Sequence, residues 1–223
     1  MSHTNKRGDD MELKYPVMIT LRQIRDAHPC EDVWEKVLSA NCGSKANLDA
    51  ELELASIIDS HGIDDCLWAL QCKPEYQHIY RKFAVVCADE VSHLMTDDRS
   101  TTALDVAWSH SSGEATDEQL HAAWNAAWHA SWDDVLDEAL NAAQAAAHPH
   151  AWYAAEGAAQ AAAGVAAMDA AQDAAWYSSL DASKAAAGDA AWDAAWDDAW
   201  ECQSKVLRRA LTTGEISRKC QKS

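Results

Sequence analysis

The residues of this sequence best suited to chemistry are acidic residues that recur every four positions, a spacing close to one turn of an α-helix. The sequence places them at Asp189, Asp193, Asp197 and Glu201, with Asp198 alongside. Four residues advance an α-helix by about 6 Å and slightly more than one turn, so these side chains would form one stripe. Like charges at this spacing repel by a few tenths of a kcal/mol per pair. The pattern predicts a surface that binds a cationic partner, with a solvated outer face as the alternative.

A second acidic group is expected to contribute to the same partner-binding surface; it comprises Asp133, Asp134, Asp137 and Glu138. Both groups lie between Asp117 and Cys202, a segment with fifteen acidic residues and one lysine, Lys184. The whole chain has a formal net charge of −18. Since lysine and arginine make the contacts to nucleic acid and to anionic lipid, this balance disfavours direct binding to either. The expected partner is a basic protein, such as a toxin, a nuclease or a defence effector.

The motifs that usually carry catalysis are missing. The sequence has no glycine-rich phosphate loop, no HExxH, no CxxC pair and no GxSxG. Pro149 between His148 and His150 indicates a helix junction, not a metal site. The sequence His28-Pro29-Cys30 is better explained by Pro29 as the first residue of a helix than by a nucleophile pair of His28 and Cys30. We expect no catalytic residue, no metal site, no cofactor and no enzyme activity.

The seven cysteines are scattered, and none forms a CxxC pair. This usage favours reduced thiols and a cytoplasmic location. The sequence shows neither the apolar run of a signal peptide nor an uninterrupted apolar stretch of about 18 residues. We therefore expect no membrane span.

The elements that must position the acidic stripe are helices. Between Val17 and Gly113, apolar residues at the helical period and local cap signals predict short helices, one of them from about Asp49 to Ser60. Because no segment alternates with a period of two, essentially no sheet is predicted. From Thr116 to Gln119 the sequence has the form of a capping box, which predicts the start of a long helix.

Alanine-rich helices are predicted from there to about Leu211, with breaks near Gly164 and Gly188. Tryptophans at a spacing of four would line two of these helices, at Trp124, Trp128 and Trp132 and at Trp192, Trp196 and Trp200. Tryptophan rings against alanine grooves predict close packing in the core. Anchors for a partner are the alternative, because tryptophan is enriched at binding hot spots.

These patterns together predict an all-α, multi-helix bundle. We expect residues 1–16 to be a disordered tail and residues 17–115 to form a region of short helices. Residues 116–212 would form long acidic helices rich in Ala and Trp and packed on that region. Residues 213–223 would be a basic flexible tail.

Three segments of the N-terminal half resemble a family of immunity proteins. They are ITLRQIRDAHPCEDVWEKVL (19–38), GIDDCLWAL (62–70) and HLMTDDRSTTALDVAWSHSSGEATDEQL (93–120), and the last is the most specific. Members of this family occur in phages, prophages and toxin loci, and many carry a similar Ala-Ala-Trp tail. The resemblance covers roughly residues 17–210. It implies an all-α fold and protection by stoichiometric binding, and it supplies no catalytic residues.

Three functions remain open at this point. The first is an immunity or inhibitor protein that neutralises a partner protein through its acidic helices. The second is a phage anti-defence protein that mimics nucleic acid, because carboxylates about 6 Å apart along a helix resemble the phosphates of a strand. The third is a structural protein that assembles with itself through its tryptophan stripes, for which a homodimer is the simplest form.

Overall fold

The computed structural model describes residues 13–40, 47–90, 92, 97–128 and 181–218, and for residues 32, 128 and 181–192 it describes the backbone alone. Of these residues 72% are helical, in eight helices, and 5% are in strands. The predicted all-α fold class is therefore confirmed. The predicted break at Gly164 and the acidic group Asp133, Asp134, Asp137 and Glu138 lie outside the described residues.

The helices follow the chain in order, with one short 3-10 turn before the fifth. Their bounds are α1 Leu21–Asp26, α2 Glu31–Ala40, α3 Ser56–His61, α4 Ile63–Leu70, the turn Pro74–Tyr76, α5 Gln77–Glu90, α6 Asp98–Ser111, α7 Asp117–Trp128 and α8 Asp181–Thr213. Helix α2 begins two residues after Pro29, so the prediction that Pro29 is its first residue is wrong.

A two-stranded antiparallel sheet interrupts the helical pattern. Strand β1 is Met18–Thr20, strand β2 is Glu51–Glu53, and Ile19 pairs with Leu52 at their centre. The sequence predicted a helix from Asp49 to Ser60 here, and that prediction is wrong for its first half. Three residues are too few to show a period of two, and the pairing partner lies about thirty residues away, so local pattern carries no signal for these strands.

Helix α8 runs without a break through Gly188, so the break predicted there is wrong. A glycine inside a helix costs about 1 kcal/mol relative to alanine. Three alanines precede Gly188 and two more follow Asp189; alanine is the best helix former, and its propensity offsets that cost. The helix stops at Gly214, whose φ of +77° is a conformation that L side chains rarely adopt.

Apolar side chains of α1, α3, α4 and α5, of β1 and of the end of α8 form one main core. Phe83 at its centre is fully buried, as are Leu67 and Leu207. A second, smaller cluster lies on the other side of α5, where Val85 and Ala88 meet side chains of α6 and α7. Helix α5 is thus buried on both sides, between the main core and the hairpin of α6 and α7.

The capping box predicted at Thr116 is confirmed. The backbone N–H of Gln119 donates to the Thr116 hydroxyl at 3.3 Å, and the backbone N–H of Thr116 donates to the Gln119 side chain at 2.8 Å. We expect Thr116→Ala to lower the free energy of unfolding by about 1 kcal/mol, because one helix N–H loses its acceptor. Urea denaturation measures this. Thr102→Ala, within α6, is the control and should change stability by less than about 0.5 kcal/mol; equal losses would contradict the prediction.

Both chain ends contact the folded unit over their described parts. Leu13 and Tyr15 pack against the main core, and the Tyr76 hydroxyl donates to the Lys14 carbonyl at 2.6 Å. Ile216 also packs against this core. We expected tails at residues 1–16 and 213–223, whereas residues 13–16 and 214–218 are held by these long-range contacts.

Among the described cysteines, Cys202 differs from the expected reduced thiols. Cys30, Cys66, Cys72 and Cys87 are not disulfide-bonded, whereas Cys202 on α8 is. Burial raises the pKa of the Cys72 thiol to about 11, which leaves it protonated at neutral pH.

None of the helices in the described ranges combines the length and the apolar character that crossing a bilayer requires.

Candidate docking surface

Helix α8 carries the acidic stripe, and its C-terminal end is anchored in the fold. Leu207, Ala210 and Leu211 are buried in the main core. The Arg208 guanidinium holds both oxygens of the Asp59 carboxylate, at 2.5 and 3.0 Å. The backbone N–H of Val17 donates to the Leu211 carbonyl at 2.8 Å. These contacts fix the direction in which the rest of the helix runs.

Three aspartates of the stripe are exposed on this helix, as the sequence predicted. Asp193 and Asp197 lie one turn apart, with Asp198 next to them. None of the three forms an ion pair with any described residue. Asp189 lies on the same helix, but its side chain is outside the described residues. Among the described residues, no cation therefore compensates the negative charge of the exposed part of the stripe.

Glu201 differs from these aspartates. The Lys205 ammonium binds its carboxylate at 2.7 Å, and this hydrogen bond lowers the pKa of Glu201. The pair has the Glu-to-Lys order at a spacing of four that stabilises helices, so the sequence contained the signal for it. Because both side chains are well exposed, the pair is weak and a competing cation can replace Lys205.

The arginines in the described part of the chain form ion pairs with carboxylates other than the exposed aspartates of α8. Every one of them except Arg81 pairs with a carboxylate, namely Arg22 with Asp49, Arg25 with Asp26, Arg99 with Asp97, Arg208 with Asp59, Arg209 with Glu215, and Arg218 with Asp89 and Asp105. None of these pairs involves Asp193, Asp197 or Asp198. The three aspartates thus remain accessible to a cation from another molecule.

Two tryptophans of α8 connect the core to the exposed part of the helix. Trp200 packs against the main core. The Trp196 ring stacks on the Trp200 ring, with the centroids 6.3 Å apart and the planes inclined by 14°. In α7, Trp124 packs against the second cluster. These contacts agree with the core interpretation for Trp200 and Trp124. Trp196 is half-buried and lies beside the acidic stripe.

Ser60 and His61 are the most catalysis-like pair among the described residues. They line a shallow depression between the ends of α2 and α3. Nδ1 of His61 lies 2.5 Å from the Ser60 hydroxyl, which itself donates to the Ser56 carbonyl at 3.2 Å. The hydroxyl is within hydrogen-bond distance of both the ring nitrogen and a backbone oxygen, and which atom donates in the Ser60–His61 contact depends on the ring tautomer. Within the described ranges no group of three or more potential metal ligands comes together.

Comparisons with protein-family models, with curated proteins and with solved structures found no match to this chain. The resemblance to immunity proteins stays a prediction.

Proposed function

We propose that this protein is a non-enzymatic immunity or inhibitor protein that neutralises a basic partner protein by stoichiometric binding. The observation that carries the proposal is the set of exposed aspartates on α8, which have no ion pair with any described residue. A cationic surface on a toxin, a nuclease or a defence effector complements such a helix face, and long-range attraction speeds its encounter with the partner.

The anchoring of α8 supports the same proposal. A docking face on a rigid helix loses little conformational freedom on binding, so more of the contact energy appears as affinity. The end of α8 is held by the buried Leu207 and by the Arg208–Asp59 pair. The carboxylates therefore keep their spacing before the partner arrives.

A charge reversal on α8 tests the proposal. The double variant Asp193→Lys and Asp197→Lys should weaken binding to the captured partner by at least about tenfold, because like charges then face each other. The measurement is affinity capture from the source cells, followed by a binding titration with the recovered protein. The unaltered chain should retain one basic protein at near-equal stoichiometry.

The matched control is Glu51→Lys with Glu53→Lys. Both residues are exposed on β2, and the substitution changes the net charge by the same amount. Equal losses of binding for the two double variants would show that net charge matters and that α8 is not the docking face. Recovery of no basic partner at any salt concentration would also count against the proposal.

Mimicry of nucleic acid is a second candidate, which the one-turn spacing of Asp193 and Asp197 favours. In that case DNA or RNA should compete with this protein for the partner, and the affinity should fall steeply as salt rises. Self-assembly through the tryptophan stripes stays a prediction, and light scattering across a range of protein concentrations tests it.

A further inference from the structure

The C-terminal strap, Gly214–Arg218, folds back from the end of α8 towards α5 and α6. The backbone N–H of Gly214 donates to the Ala210 carbonyl at 3.0 Å, which closes the helix. Ile216 then packs against the main core. Arg218 follows and contacts two other helices. The strap is thus fixed at its beginning, at its middle and at its end.

Arg218 joins α5 to α6. Its guanidinium binds the Asp89 carboxylate of α5 through two nitrogens and the Asp105 carboxylate of α6 through the third. Asp89 is only 17% exposed and Arg218 is 32% exposed. The two carboxylates raise the pKa of Arg218 above its usual range. Removing one partner leaves the other charge partly buried and unpaired, so this link costs more to break than an exposed pair.

The hairpin of α6 and α7 is well connected internally. The His110 ring contacts the Asp117 carboxylate at 2.7 Å, and the backbone N–H of Glu114 donates to the Ser109 carbonyl at 2.8 Å. Ala103 of α6 is buried with Ala127 of α7. These contacts make the hairpin a unit that can move as a whole.

The apolar contact between this hairpin and α5 forms a cluster separate from the main core. Its buried side chains are Val85, Ala88, Leu104, Ala107 and Leu120, and the partly buried Val106, Trp108 and Trp124 pack against them. A cation–π contact adds to it, with the Lys82 ammonium 5.1 Å from the centroid of the Trp108 ring. Arg218 adds a charge link across the same seam, from the strap to both α5 and α6.

We infer that the strap is a clasp that keeps the α6–α7 hairpin docked on α5, and that its release opens the hairpin while the main core stays folded. Proteins open locally in cooperative units that often coincide with supersecondary motifs, and this hairpin packs through a cluster separate from the main core. Sodium chloride screens exposed charge pairs more than partly buried ones, so the Arg218–Asp105 arm of the clasp, whose carboxylate is 64% exposed, is its salt-sensitive part. The inference does not depend on the proposed partner.

Amide hydrogen exchange on the full chain tests the clasp. In Arg218→Ala, exchange in α6 and α7 should become faster by about tenfold, which corresponds to ~1.4 kcal/mol. Exchange in α3 and α4 should change by less than about twofold, because their protection comes from the main core. The control is Arg22→Ala, which breaks only the exposed Arg22–Asp49 pair away from the strap and should leave α6 and α7 unchanged.

A second variant keeps the test decisive if Arg218→Ala unfolds the whole chain. Asp105→Asn removes the charge link to α6 and retains the Asp89 link, so a smaller but still selective increase in α6–α7 exchange is expected. In the unaltered chain, raising sodium chloride from about 0.1 to 1 M should increase α6–α7 exchange selectively but no more than Asp105→Asn does, because only the exposed Asp105 arm is strongly screened. Equal changes in all helices, or no change in α6 and α7, would overturn the inference.

Discussion

Leu207→Ala should lower the free energy of unfolding by about 3 kcal/mol, within the range measured for truncation of buried leucines. Leu207 is fully buried in the main core. Among the described residues, only the C-terminal part of α8, which includes Leu207, contributes buried side chains to this core. The substitution removes apolar contact and leaves a cavity between α8 and the N-terminal helices. Urea denaturation followed by circular dichroism measures the loss.

Val206→Ala is the matched control. Val206 is the neighbouring residue and is only partly buried against the same core, so we expect a loss of about 1 kcal/mol. A loss for Leu207→Ala no larger than that for Val206→Ala would show that α8 is not anchored through the core. It would also remove the rigid support on which the proposed docking face depends.

Gly214→Ala should cost about 2–3 kcal/mol, for two separate reasons. At φ +77° an alanine is strained, and its Cβ would lie 2.5 Å from Cε2 of the Tyr15 ring. That ring has little room to move, because it packs edge-on against Tyr76 with centroids 5.6 Å apart and its hydroxyl bonds to His78 at 3.3 Å. Thermal denaturation of the variant measures the loss.

Gly113→Ala separates the two causes. Gly113 has nearly the same φ, +76°, but a Cβ added there would meet no atom within 4 Å. We expect a cost of about 1 kcal/mol, from backbone strain alone. The difference between the two variants is the steric contribution of Tyr15, and similar losses at both glycines would refute a close contact between Gly214 and that ring.

Much of the candidate docking surface could be predicted from sequence. A spacing of four residues in an alanine-rich segment places Asp193 and Asp197 on one face of a helix, and the structure shows both exposed. The Glu201–Lys205 pair follows from the same spacing. The sequence could not show that arginines form ion pairs with other carboxylates, since Arg208 pairs with Asp59 across 149 positions of the chain.

The sequence by itself determined the helices, because their signals act over three or four residues. Thr116 and Gln119 cap each other across one turn, whereas the glycine at 188 predicted a break that α8 does not have. The tertiary structure alone decided the sheet of β1 and β2, the anchoring of α8 and the strap. Each of these depends on groups far apart in sequence, such as Asp89 and Arg218, which have a defined distance only after the core between them has formed.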